Sequence, residues 1–122
     1  MAIKEKHILV KGSKTRFRDF VHVSDVVDAV LAVMDKKVQG FDVFNVSTGV
    51  ATTVEAVIDE ILKNLPDKTI FVEYTTGTPG DQHGIYGDYS KIQRVLGWNP
   101  KYDFASGMKD MVNWAQKTMA VE

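Results

Sequence analysis

Apolar positions along the chain change period several times, and each change marks an element. His7-Ile8-Leu9-Val10 is a short apolar run closed by Gly12 and Ser13, and Phe17 to Val23 carries Phe17, Phe20, Val21 and Val23; both are predicted strands. From Val26 the spacing turns helical, with Val26, Val27, Val30, Val33 and Met34 recurring to about Lys36. Ser24 is placed to cap that helix, and Lys36 and Lys37 suit its negative end. Gly40 breaks the chain, and Phe41 to Val46 (FDVFNV) predicts a buried strand. Thr52 and Glu55 have capping-box spacing. Behind them Val57, Ile58, Ile61, Leu62 and Leu65 make the clearest apolar helical face, ended by Pro66-Asp67. Thr69 to Tyr74 is a further predicted strand.

Thr75 to Gly87 breaks every period: four glycines and one proline fall in thirteen residues. Loops of this composition often carry function. Asp88 can cap a short helix bearing Ile92, Val95 and Leu96, which Gly97 stops. A last helix is predicted over about Phe104 to Met119, with Met108, Met111, Val112, Ala115 and Met119 on one side. Trp98 and Trp114 are predicted core aromatics. Strands alternating with helices make an α/β chain, and with no linker or repeat, residues 1–122 read as a single domain.

Composition narrows the function. A length of 122 residues and a net charge of −1, with lysines and arginines scattered, argue against a nucleic-acid binder. Without cysteine there is no disulfide, zinc thiolate site or thiol nucleophile. The N-terminal apolar run is too short for a signal peptide or a membrane span, so a cytoplasmic location is expected. Asn45-Val46-Ser47 matches a glycosylation sequon but lies in an apolar strand pattern and is read as chance. His7, His22 and His83 have no metal-ligand spacing, and no hydrolase motif is present. Gly77, Gly80, Gly84 and Gly87 imitate a dinucleotide loop, but no helix is signalled before Asp88, and a true loop turns straight into its helix.

Several stretches, in order, resemble the C-terminal half of the extended short-chain dehydrogenase/reductase family, which includes UDP-glucose 4-epimerases and dTDP-glucose 4,6-dehydratases. Arg18-Asp19-Phe20-Val21-His22-Val23-Ser24-Asp25 through Ala29 resembles its R-D-F-[VI]-[HY]-V-x-D-x-x-x-A segment. Phe44-Asn45-Val46-Ser47-Thr48-Gly49 is similar to its F-N-[VIL]-G-T-G turn, with Ser47 at the usual glycine. Thr52 to Glu55, Pro79-Gly80-Asp81, Asp88 with Ser90-Lys91, Leu96 to Pro100, and Gly107 to Trp114 resemble its remaining signatures. The match runs from about residue 8 to 116.

The resemblance implies the C-terminal portion of a Rossmann-type fold without the dinucleotide-binding half. The family's glycine-rich NAD loop and Tyr-x-x-x-Lys pair belong to that other half: Tyr74, Tyr86, Tyr89 and Tyr102 are followed four residues on by Thr78, Ser90, Gln93 and Ser106. The expectation is therefore a nucleotide-sugar-binding portion of an epimerase, catalytically incomplete alone, with NAD implied only for the complete enzyme. The alternatives are part of a 4,6-dehydratase, or a non-catalytic structural or partner-binding module. By the resemblance, Arg18 reaches the substrate diphosphate through the bidentate hydrogen bonds a guanidinium offers phosphate, and Asp81 lies near the nucleotide ribose. The family's second arginine is replaced by Thr78, for which Arg16 is a candidate substitute. His22 and Asp25 are expected to be structural. Apolar surface facing the missing half is expected to drive self-association or to repack.

Overall fold

The structure, a computed structural model, describes residues 5–36, 40–77, 80 and 82–119. In chain order the elements are β1 (His7–Lys11), β2 (Phe17–Arg18), α1 (Val23–Lys36), β3 (Thr52–Thr53), α2 (Val54–Asn64), β4 (Phe71–Thr75), α3 (Ser90–Leu96) and α4 (Phe104–Met119). β1 and β4 pair in parallel, from His7 with Phe71 to Lys11 with Thr75. β2 and β3 pair antiparallel through Phe17–Thr53 and Arg18–Thr52. The α/β class holds, in two small ladders.

Two apolar clusters form the core. Ala29 of α1 packs with Ile92, Leu96 and Trp98, flanked by Phe44, Val46 and Tyr89. Leu65, Met108 and Val112 make the second, where Val57 and Ile61 of α2 meet α4. A buried carboxyl joins α1 to the turn before α4. Asp25 is fully buried, and its oxygens accept the backbone N–H groups of Lys101 (3.0 Å) and Tyr102 (3.2 Å). The Trp98 indole N–H donates to the Asp25 carbonyl at 3.0 Å.

Several expectations shift. The strand predicted over Phe41 to Val46 does not form a ladder among the described residues. It keeps a strand's alternation, with Phe44 and Val46 turned to the core and Phe41 93% exposed. The predicted strand to Val23 stops at Arg18, because Asp19 hydrogen-bonds a neighbouring turn rather than continuing a ladder. α1 starts at Val23, and His22 in place of Ser24 occupies its end: the His22 Nδ1 accepts the Ser24 N–H at 3.2 Å. The cap of α2 is Thr53, one residue later than predicted, since Thr52 is buried in β3. Thr53 Oγ1 accepts the Ala56 N–H at 3.1 Å, and Glu55 pairs with Lys14 at 2.6 Å instead of closing a capping box. Gly97 ends α3 in the left-handed region, at φ 73°, as predicted. Trp98 is buried, but Trp114 is 67% exposed beside Met111 on the open side of α4, so its prediction as a core residue fails.

Candidate functional site

Phe17 and the Arg18 and Asp19 that follow it in the R-D-F segment meet three stretches of chain at one junction. The Phe17 N–H donates to the His83 carbonyl at 3.1 Å, and Phe17 forms a parallel bridge with Gly84. The approach is so close that a Cβ on Gly84 would come within 2.3 Å of the Phe17 ring. Arg18 sits half-buried, and its guanidinium donates to the carbonyls of Phe17 (2.7 Å) and Gln82 (3.3 Å). It therefore lies against residues 82–84, the far side of the glycine-rich loop. Asp81, the other predicted ligand, lies outside the described residues, as do Thr78 and Pro79.

Asp19 turns to the Thr48–Gly49 corner. One carboxylate oxygen accepts the Thr48 N–H (2.9 Å) and hydroxyl (2.6 Å). The other accepts the N–H groups of Gly49 (2.8 Å) and Gly87 (3.2 Å). Partial burial pushes this carboxyl up, but the Thr48 hydroxyl and the three amides favour the charged form more, and hold it below the usual carboxylate value. Arg16, the candidate second cation, folds back to donate to the Lys11 carbonyl at 2.5 Å and lies over Gly12.

A second feature was not visible in the sequence. An apolar groove of about 750 Å³ runs between the start of α1 and α4, lined by Phe20, His22, Tyr102, Phe104, Met111 and Trp114 among others. The His22 ring stacks on Tyr102 with centroids 4.0 Å apart and planes at 21°. Gly107 lets α4 approach that ring, because a Cβ there would lie 3.2 Å from His22 Cδ2. His22 is thus held by cap and stack, the structural role expected of it.

The arrangement brings one arginine to the junction, while the Thr48, Gly49 and Gly87 amides are taken by Asp19. Among the described residues no group of three His, Asp or Glu side chains could hold a metal, and no helix is long and apolar enough to cross a membrane. Nor do they fit a dinucleotide. That ligand needs unpaired N–H groups at a helix start next to a glycine turn. Here the first N–H of α3 is taken by Asp88 (Ser90 N–H, 2.8 Å), and α1 and α2 start at His22 and Thr53.

The sequence model of GDP-mannose 4,6 dehydratase matches residues 1–111. The chain belongs to this family. It is 32% identical over 102 residues to the UDP-glucose 4-epimerase of Rhizobium meliloti, covering 82% of the chain and 31% of that enzyme. It is 29% identical over 116 residues to the UDP-glucuronate 4-epimerase of Thermodesulfobacterium geofontis, covering 95% and 35%. Among solved structures, the UDP-glucose 4-epimerase of Bifidobacterium longum in complex with NAD+ and UDP superposes with a TM-score of 0.83 at 28% identity, over 97% of this chain and 37% of that one. The fold is therefore part of an extended short-chain dehydrogenase/reductase fold, and the chain spans about a third of the length of the relatives it matches.

Asp19 is the residue that reading the sequence missed. It stood inside the quoted R-D-F motif with no role, and only the fold brings residues 48, 49 and 87 to it.

Proposed function

We propose that the chain is the nucleotide-sugar-binding portion of an NAD-dependent nucleotide-sugar 4-epimerase, with Arg18 holding the diphosphate and Asp81 the ribose. One observation carries this reading: the arginine of the R-D-F segment lies against the glycine-rich loop, with its guanidinium on the Gln82 carbonyl. Epimerases acting on UDP-sugars among the relatives support it. NAD and the proton-transferring groups belong to the part of the enzyme this chain does not include, so the chain is catalytically incomplete alone. A cytoplasmic location goes with this reading. Outside the complete enzyme, the exposed apolar side chains of α1 (Val23, Val27, Val30, Leu31 and Met34) and the groove beside them drive self-association.

A second reading, a scaffold without ligand, is favoured by the same hydrogen bonds, which make Arg18 a staple between two carbonyls. Titration of the isotope-labelled chain with UDP, dTDP and their glucose conjugates separates the two. Saturable shifts around Arg18 are expected, and Arg18→Ala should weaken binding about tenfold or more, the scale of losing a charge-assisted hydrogen bond. A dispersed spectrum that no nucleotide moves would establish the scaffold instead.

A further inference from the structure

Residues 17–19 hold the 82–87 stretch of the glycine-rich loop at both ends. At one end, Phe17 and Arg18 bind His83 and Gln82. At the other, Asp19 binds the Gly87 N–H, and the same carboxylate takes three donors from the Thr48–Gly49 corner. Four donors fill the acceptor sites of an ionised carboxylate, which has no proton to offer in return. Gly87 reaches this position only because it lacks a side chain: a Cβ there would lie 2.6 Å from the Ser47 Cβ and Oγ. We infer that Asp19 is a positioning residue of the nucleotide-sugar site, fixing residues 84–87 and the Thr48–Gly49 corner so that the loop stays against Arg18. The inference rests on the reading of Arg18 given above.

Asp19→Asn tests it in the 122-residue chain. An asparagine can keep its oxygen on Thr48 and its hydroxyl, and then presents an NH2 group to the Gly49 and Gly87 amides. Hydrogen exchange at Gly49 and Gly87 should rise about tenfold or more while the amides of α4 keep their protection, a pattern that general destabilisation does not produce. UDP-glucose, titrated by NMR, should bind about tenfold more weakly. Thr48→Val, which removes the hydroxyl donor to Asp19 and the acceptor of the Val50 N–H but leaves the three amide donors to Asp19, should weaken it less, and it carries the binding test if Asp19→Asn does not fold. Unchanged UDP-glucose affinity in a folded variant overturns the positioning role and leaves the reading of Arg18 standing. Failure of the unaltered chain to bind UDP-glucose overturns both.

Discussion

Helices α1 and α2 are both amphipathic, yet they face their surroundings in opposite ways. α2 turns Val57, Ile58 and Ile61 inward and leaves Asp59 and Lys63 in solvent. In α1, Asp25 and Ala29 are the buried positions, and Val23, Val27, Val30, Leu31 and Met34 form an exposed stripe. At 100° per residue those five lie on the side of the helix opposite Asp25 and Ala29. Val23 and Val26 also line the groove with Met111 and Trp114, so the open apolar surface continues onto α4. Monomeric proteins seldom expose apolar patches above a few hundred Å². Periodicity thus reveals which side of a helix is apolar, and says nothing of whether this chain supplies what covers it.

Three substitutions probe that contrast. The largest effect belongs to the polar side of α1. Asp25→Ala leaves the partly buried Lys101 and Tyr102 amides without acceptors and empties a fully buried position, and should cost about 3 kcal/mol in chemical denaturation. A loss below about 1 kcal/mol would mean that the inner side of α1 is held by Ala29 packing alone. Next comes the apolar side of α2. Ile58→Ala removes a buried side chain and should cost about 2 kcal/mol or more by the same measurement. The smallest stability effect belongs to the outer stripe. Val30→Lys should change the unfolding free energy by no more than about 0.5 kcal/mol, because the side chain is already in solvent. The same variant should shift sedimentation toward the monomer and reduce hydrophobic-dye binding. An unaltered chain that sediments as a clean monomer and binds no dye would end the self-association proposal.

The sequence carried element identity well wherever local chemistry decides it. The bounds of α4 and the Gly97 stop matched, because side-chain spacing and a left-handed glycine are properties of the local chain. It was weaker wherever a partner decides. Phe41 to Val46 has a strand's alternation, but a ladder takes two strands. Trp114 sits at a helical position whose apolar neighbours are themselves open. Thr52 loses its cap role to Thr53 because β3 takes it first. At the site, Arg18 was legible from its motif. The role of Asp19 was not, because its donors lie on turns roughly thirty and seventy residues away and converge only in the folded chain.

The parallel pairing of β1 with β4 carries a consequence for synthesis. His7 leaves the ribosome roughly sixty residues before its ladder partner Phe71. Until then β1 is without its β4 partner, while β2, α1, β3 and α2 are being made. Pairing strands so far apart closes a long loop before any contact rewards it, which slows folding. Within this stretch of chain the earlier strand is secured only once the later one has been made.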